Sequence, residues 1–301
     1  MADATAGPWR GYAPAAFLAF DRAEAVTATT VAPGLLDPVR RAVAQLLMNP
    51  DELVRTPPAT DTTPDSRADV AVRFAEQFVV DVSGITDAHR AELVAALGDE
   101  MVPFVQALYV VDVFQRGRIA LTRLYGADFG PAPAPGDGEL WPVLEEFMRV
   151  VARGSALDPL TTEIIRLRGA RAHNCRICQS RLSVRAVDAA GDASAFDAID
   201  DYEHSDLPER HKVALRLADA VLSQPMLIDR ALVEQVGAQF SPEATTEIVL
   251  DVVRNAANKF AVAVGGDAAQ VDDGIEYFDL DTAGDVVADV DPEVVRELAA
   301  R

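Results

Sequence analysis

The plainest helical signal in the chain is the stretch SPEATTEIVLDVVRNAANKFAVAVGG, residues 241–266. It begins with Ser at the N-cap position, Pro at the first helical position and Glu in the first turn, each of which favours a helix start. Apolar residues then recur every three or four positions from Val249 to Ala263, and a pair of glycines ends the pattern. The stretch predicts one amphipathic helix.

Similar stretches precede it, and strand signals are scarce. Residues 208–224 form another amphipathic pattern that Pro225 ends, and Asp229 is placed to cap a shorter one. A segment rich in Gly and Pro, Gly130–Gly138, separates two halves of this character. We therefore expect an all-α protein.

The two halves also align with each other. Residues 66–76 match residues 209–219 at an offset of 143, and Asp37 falls on Glu163 at an offset of 126. The difference of 17 residues indicates an insertion within Ser183–Leu207. A tandem duplication explains this pattern, although helical sequences rich in Ala, Val and Leu also align by chance. The expected organisation is an N-terminal arm (1–34), a helical repeat without cysteines (35–126), a Pro/Gly linker (127–140), a helical repeat with both cysteines (141–267) and an acidic C-terminal tail (268–301).

The composition argues against several classes of function. The formal charge of −21 disfavours sequence-independent binding to nucleic acid or to an anionic membrane surface, since both need basic patches. No stretch reads as the roughly 18 apolar residues of a membrane span. The first thirty residues lack the basic start and apolar core of a signal peptide. We expect a soluble, cytoplasmic protein.

The two cysteines of the chain, Cys175 and Cys178, lie three residues apart. The surrounding pattern predicts a helix that ends near Asn174 and a second helix that begins at Cys175 and continues through Val187. Cysteines at the first and fourth positions of a helical turn share one face, which allows a disulfide, and the positive end of the helix lowers a thiol pKa. Such a thiolate attacks a peroxide to give a sulfenic acid, which the second cysteine converts to a disulfide.

Positive charge is concentrated around the pair, against the acidic trend of the whole chain. Nearby cations increase the fraction of a thiol that is ionised, so we expect this local charge to favour thiolate chemistry. The residues are Arg166, Arg168, Arg171, Arg176 and Arg181.

Other interpretations of the pair stay open. A zinc site needs about four ligands, so His173, His204 or His211 would have to converge on the cysteines. Thioredoxin-like exchange normally places the motif after a strand in an α/β pattern, which does not occur here. Two buried structural cysteines are the third alternative. We expect neither a metal nor another cofactor.

Glu163 lies twelve residues before the Cys-x-x-Cys pair of Cys175 and Cys178. A later helix carries the pattern Asn-x-x-Asn at Asn255 and Asn258. This arrangement resembles the carboxymuconolactone decarboxylase superfamily, in its alkylhydroperoxidase D branch. The resemblance implies an all-helical bundle of that type in each repeat. It also implies that Cys178 attacks the peroxide, Cys175 resolves the sulfenic acid and Glu163 relays protons. The implied partners are a hydroperoxide or disulfide substrate and a thiol reductant, and we expect the chain to form a homo-oligomer.

The sequence departs from that family at the relay histidine, whose position holds Leu182. General acid–base assistance contributes on the order of 10²- to 10⁴-fold, so Leu182 is expected to slow turnover. A large gain in peroxidase rate in Leu182→His would mean that the native site lacks its relay group. Arg181 is expected to hold a thiolate by charge. His173 is expected at the surface, where it substitutes for the relay only if the turn folds back.

Two further points concern the supporting residues and the first repeat. Asn255 and Asn258 either hydrogen-bond the backbone near the cysteines or form an exposed polar stripe. In the first repeat Asn49 and Glu52 replace the cysteines, so that half has no thiol and is expected to be structural.

Two functions therefore compete. The first is a thiol-dependent peroxidase or disulfide oxidoreductase that cycles the cysteine pair. The alternative is a catalytically weakened, non-enzymatic member of the same superfamily that acts as a redox sensor or assembly module. A decarboxylase acting on a lactone acid ranks third, because those relatives do not depend on a Cys-x-x-Cys pair.

Overall fold

A computed structural model describes residues 7–56, 66–191, 193–272 and 274–291 of the chain. Helices dominate these residues, and strands form only one small sheet, which confirms the expected mostly helical class. The helices are α1 (Trp9–Tyr12), α2 (Pro14–Thr30), α3 (Pro33–Leu46), α4 (Pro50–Arg55), α5 (Ser66–Val80), α6 (Asp87–Leu97), α7 (Met101–Tyr109), α8 (Gln115–Tyr125), α9 (Leu140–Ala152), α10 (Pro159–Ala172), α11 (Arg176–Gln179), α12 (Val184–Ala190), α13 (Glu209–Ser223), α14 (Arg230–Gln239), α15 (Pro242–Asn255) and α16 (Asn258–Val264).

Shorter elements join these helices. A π-helical turn, Val110–Phe114, connects α7 to α8 without interrupting the helical run. The 3-10 turns are Val82–Gly84, Gly98–Glu100, Ala193–Ile199, Tyr202–His204 and Pro225–Leu227. The strands are β1 (Arg181–Ser183), β2 (Glu276–Leu280) and β3 (Val286–Ala288).

Helix bounds recur at the two offsets found in the sequence. Helices α3 and α10 both have 14 residues and begin at a proline, and their bounds differ by 126 at each end. Helices α5 and α13 both have 15 residues, and their bounds differ by 143 at each end. The 3-10 turns Val82–Gly84 and Pro225–Leu227, which follow α5 and α13, repeat at the same offset.

One large apolar core contains side chains from both halves of the chain. Phe114 from the first half and Phe147 from the second lie with ring centroids 4.9 Å apart inside it. A smaller apolar cluster lies beside it in the second half, around Ile164, Leu182 and Leu215. The cysteine pair belongs to the large core, so the site lies where the two halves pack together.

The described part of the expected N-terminal arm, residues 7–34, packs into that core. Helix α2 places Phe17 and Phe20 on one face, and the ring centroid of Phe20 lies 4.3 Å from that of Phe114. The spacing of these aromatic residues is the ordinary period of a helix face, so the sequence did carry this signal. Arg10 also pairs with Asp21 at 2.7 Å, which ties α1 to α2.

The acidic tail forms a hairpin that returns to the cysteine segment. Strand β2 pairs antiparallel with β3 and parallel with β1, with Leu182 opposite Tyr277. Glu276 also bonds Arg181 across the sheet. The helix expected to continue through Val187 is therefore interrupted by a strand. The sequence also predicts a short helix from Asp291, which lies largely in residues 292–301, outside the described part of the chain.

The helix predicted over residues 241–266 is two helices. Helix α15 ends at Asn255, and α16 begins at Asn258 after a short turn. After this break both Asn258 and Lys259 are buried and bond groups from other helices. After the interruption these two polar side chains point inward, so Asn258 is not part of an exposed polar stripe.

The helical run Asp87–Tyr125 is long and apolar enough to cross a membrane by length and composition, although the sequence was not expected to contain such a stretch. Nearly all of its side chains between Phe104 and Leu121 are buried within the protein. These residues form the middle of the large core.

Candidate active site

The cysteine pair lies in a tight turn at the end of α10. His173 caps that helix, Asn174 adopts the left-handed conformation with φ 50°, and Cys175 precedes the single turn of α11. Asn is one of the few residues other than Gly that tolerate this conformation. The turn brings Cys175 and Cys178 together as a disulfide with Cα atoms 5.3 Å apart, within the usual range for such a bond.

The two cysteines differ in exposure. Cys175 is fully buried at 0% exposure within the large core, whereas Cys178 is partly exposed at its edge. A reagent that approaches from solvent therefore meets Cys178 first.

The local electrostatics differ from the sequence expectation. Helix α11 has only four residues and leads into β1, so it sums few peptide dipoles and adds little positive potential at Cys175. Each arginine expected to surround the thiols with positive charge is also bonded to a carboxylate. The pairs are Arg166 with Glu163, Arg168 with Asp219, Arg171 with Asp200, Arg176 with Asp267 and Arg181 with Glu276. The arginines do lie around the pair, but each of their charges is balanced by a carboxylate, which weakens the expected positive potential there.

Glu163 is buried and joined to the cysteine turn through one arginine. Its two oxygens accept from Arg166 at 2.8 and 2.7 Å, and one also accepts from the Ser183 backbone at 3.1 Å. Arg166 in turn donates to the carbonyl oxygens of Cys178 at 2.8 Å and Arg181 at 2.6 Å. The acid and the arginine thus hold both ends of the segment that carries Cys178.

Leu182 and the cysteines pack in different apolar clusters. The Leu182 side chain is 6% exposed and packs in the smaller apolar cluster with Ile164 and Leu167, while both cysteines pack with the large core. A histidine at this position would lie among these apolar side chains. The effect of Leu182→His on turnover stays a prediction.

His173 is buried, contrary to the expectation that it lies at the surface. Its Nδ1 atom lies 2.7 Å from Oδ1 of Asn258, which α16 brings in from the other side. Burial, with a smaller contribution from the charge of Lys259, lowers the pKa of His173 to about 3, so its ring is uncharged at neutral pH. His211 is also largely buried, whereas His204 is exposed and bonds Asp201.

The two predicted supporting asparagines have different surroundings. Asn258 fixes the ring of His173, two residues before Cys175. The side-chain oxygen of Asn255 instead accepts from Arg254 at 3.2 Å, and its buried amide nitrogen has no hydrogen-bond partner among the described residues.

Sequence reasoning missed the buried charges of the central helices. Asp112, Arg116 and Lys259 are all buried and form one ion cluster. Asp251 is also buried, and burial raises its pKa to about 8. The sequence did carry a signal for the ion cluster, because the charged residues Asp112 and Arg116 lie four residues apart in an otherwise apolar helical stretch. Within the described ranges, no group of three or more His, Cys, Asp or Glu side chains is arranged to hold a metal ion.

The chain is similar to proteins whose activities are not known. It is 39% identical over 233 residues to the uncharacterized protein Rv2313c of Mycobacterium tuberculosis, covering 74% of this chain and 82% of that protein. The uncharacterized protein MT2376 of another strain of that species matches with the same values. The uncharacterized protein YnjA of Escherichia coli is 28% identical over 95 residues, which cover 31% of this chain and 52% of YnjA. No protein-family model and no solved structure matches the chain.

Proposed function

The chain belongs to the family of the uncharacterized Mycobacterium tuberculosis protein Rv2313c, and we propose that it is a thiol-dependent peroxidase or disulfide oxidoreductase that cycles Cys175 and Cys178. The observation that carries this proposal is the disulfide between one buried and one partly exposed cysteine. The sequence resemblance to the alkylhydroperoxidase D branch, given above, supports the same chemistry.

The proposed cycle has three steps. In the dithiol form, the Cys178 thiolate attacks the distal oxygen of a hydroperoxide, the O–O bond breaks, and the alkoxide leaves as an alcohol after taking up a proton. The Cys175 thiol then displaces water from the Cys178 sulfenic acid, which forms the disulfide. Two thiols of a reductant restore the dithiol and become a disulfide themselves.

Glu163 and Arg166 are proposed to position Cys178. Arg166 bonds the Cys178 carbonyl oxygen, and Glu163 fixes the plane of that guanidinium through two bonds. Arginine stays protonated near neutral pH, so any proton transfer in this network falls to the carboxylate.

We further propose that the chain arose by tandem duplication and that its first half is a scaffold for the second. The recurring bounds of α3 with α10 and of α5 with α13 support this. The turns after α3 and α10 support it as well, since the non-glycine residues Met48 and Asn174 both adopt positive φ at the offset of 126.

The test is turnover of the reduced full-length protein with cumene hydroperoxide and dithiothreitol. We expect peroxide consumption by the wild type, its loss in Cys178→Ser, and a stable sulfenic acid in Cys175→Ser that a dimedone probe labels at residue 178. Ser180→Ala serves as a matched control in the same turn and is expected to keep activity. Consumption that does not exceed the level of a Cys175→Ser/Cys178→Ser variant would exclude the proposed peroxidase.

A redox-sensing function is the second candidate, favoured by the pairing of every nearby arginine with a carboxylate. Without free positive charge a thiolate forms less readily, which suits a slow switch better than a fast catalyst. In that case stoichiometric peroxide still oxidises the pair once, but excess thiol does not sustain turnover. Single-turnover mass measurements beside the steady-state assay distinguish the two functions.

A further inference from the structure

Lysine is rare in this protein. Only Lys212 and Lys259 occur, beside 25 arginines among the 27 basic residues. Lys212 lies near the surface and donates to the backbone oxygens of Glu203 and Ser205 at 3.1 and 2.7 Å. Lys259 is only 3% exposed and stands opposite an acid in the core. Arginine is the usual cation of a buried ion pair, so the lysine at position 259 needs a separate explanation.

Lys259 shares its carboxylate with a second cation. Its Nζ atom lies 2.5 Å from Oδ2 of Asp112, while Arg116 Nε lies 2.7 Å from the other oxygen of that acid. Arg116 also donates to the backbone oxygens of Val79, Leu222 and Ser223, which hold it in place. When Lys259 loses its proton, Asp112 and Arg116 remain as a balanced pair. The cluster therefore tolerates an uncharged amine.

Burial favours the uncharged form of Lys259 more strongly than the nearby carboxylates oppose it. Burial is the largest effect and, with Arg116 adding repulsion, lowers the pKa of Lys259 to about 8, although Asp112 and the more distant Asp81 oppose the change. His173, on the end of α10, faces the same cluster as a neutral ring. An amine of this pKa is a far better nucleophile near pH 7 than an exposed lysine, whose pKa is about 10.4.

Lys259 lines a cleft of about 450 Å³ between the two halves of the chain. Val79 and Val82 from the first half and Leu222 from the second form apolar parts of the wall. Arg168, Asp219 and Ser223 supply polar groups on one side. The volume lies in the range of small-molecule sites.

The ring of His173 lines the same cleft. Its Nδ1 atom faces Asn258 Oδ1, so Nδ1 carries the proton and Nε2 is left with a free lone pair. No partner for Nε2 is found within the described residues. A neutral imidazole in this state can accept a proton and return it.

We propose that Lys259 is a nucleophilic amine that forms an imine with a small aliphatic aldehyde or ketone bound in this cleft. The nitrogen attacks the carbonyl carbon, and a C–N bond forms as the C=O π electrons move to oxygen. The two protons that the nitrogen loses end on that oxygen, which leaves as water, and a C=N bond remains. His173 Nε2 carries protons between the two atoms. The step needs no oxidant or reductant and is independent of the cysteine pair.

The rarity of lysine makes a clean labelling experiment possible. The full-length protein is incubated at pH 7 with butanal and sodium cyanoborohydride, which reduces the imine to a stable amine, and both lysines are followed by peptide mass measurement. We expect Lys259 to be alkylated at least 10-fold faster than Lys212, with a rate that saturates as butanal increases. In urea-unfolded protein both sites should react at equal rates.

Three variants complete the test. Lys259→Arg keeps a cation opposite Asp112 and should abolish the fast, saturable labelling, whereas Lys212→Arg should leave it unchanged. His173→Asn should slow labelling at Lys259 without changing its saturation. The proposal is overturned if Lys259 in the folded wild type reacts no faster than Lys212, or if its rate rises linearly with butanal. Neither result affects the proposed thiol chemistry.

Discussion

The turn after α3 and the turn after α10 have the same backbone and different chemistry. In the first, Asn49 N donates to Ala44 O at 2.8 Å, and in the second Cys175 N donates to Ala170 O at 2.9 Å. The residue before each donor, Met48 or Asn174, is left-handed. Both turns then lead into a short helix, α4 or α11.

The side chains at corresponding positions of these two turns have unrelated roles. Asn49 caps α4 by accepting from Glu52 N at 3.3 Å and donates to Gln115 at 3.1 Å, whereas the corresponding Cys175 forms a disulfide with Cys178. A turn of this geometry thus holds residues three apart close together by either means. The comparison indicates that the turn is a structural device and that its chemistry depends on two side chains.

The largest effect is expected from a buried charge that only the first half carries. Asp112 corresponds at the offset of 143 to the uncharged Asn255. Replacing Asp112 with Asn leaves Arg116 and Lys259 buried without their carboxylate, which should lower the free energy of unfolding by about 3–5 kcal/mol. Urea denaturation at pH 7 measures the loss.

An exposed ion pair supplies the control for that variant. Glu100 pairs with Arg67 at 2.8 Å with both side chains largely exposed, so Glu100→Gln should change stability by less than about 1 kcal/mol. Equal small losses in both variants would mean that the buried cluster contributes nothing beyond a surface pair.

The second-largest effect on stability is expected from Asp251, an acid that only the second half carries. At the offset of 143 its position corresponds to the apolar Leu108. Burial raises the pKa of Asp251 from 3.8 to about 8 in the folded protein, and one of its oxygens has no partner within the described residues. The folded state therefore keeps a proton that the unfolded state releases. The stabilisation that protonated Asp251 gives to the folded state is complete below about pH 4 and is lost as the pH rises towards 8.

Asp251→Asn removes this titration. Between pH 5 and pH 8 the wild type should lose about 3–4 kcal/mol more stability than the variant, as measured by urea denaturation at each pH. Asp229→Asn, an exposed helix cap on α14, is the matched control and should leave that pH profile unchanged. Parallel profiles for wild type and Asp251→Asn would contradict a raised pKa.

Much of the fold could be predicted because its signals are local. The starts of α10 and α15 follow from Asp158 or Ser241 before a proline, and both side chains do accept a bond from the third residue of their helix. The strand β1 could not be predicted, because Arg181–Ser183 takes its conformation from a partner strand that begins at Glu276, 95 residues after Arg181.

The candidate site was predictable to a similar degree. The spacing of Cys175 and Cys178 indicated a pair that can bond, and the disulfide is present. The burial of His173 was not accessible from spacing, because it depends on Asn258, 85 residues later, across a break between α15 and α16. The neutralised charge of Arg181 depended in the same way on a tail to which no role had been assigned.

The smallest effect tests the shared backbone directly. Met48 holds φ 53° with a partly exposed side chain, and Asn174 holds φ 50° at the corresponding place. Because Asn tolerates the left-handed region better than Met, Met48→Asn should stabilise the protein by about 0.5–1 kcal/mol and Asn174→Met should destabilise it by a similar amount. Thermal denaturation of both variants, with the disulfide intact, measures the two shifts. The two stability changes should have opposite signs and similar sizes if the left-handed residue carries the same conformational cost in both turns. Changes in the same direction would show that the two turns share a geometry but not that cost.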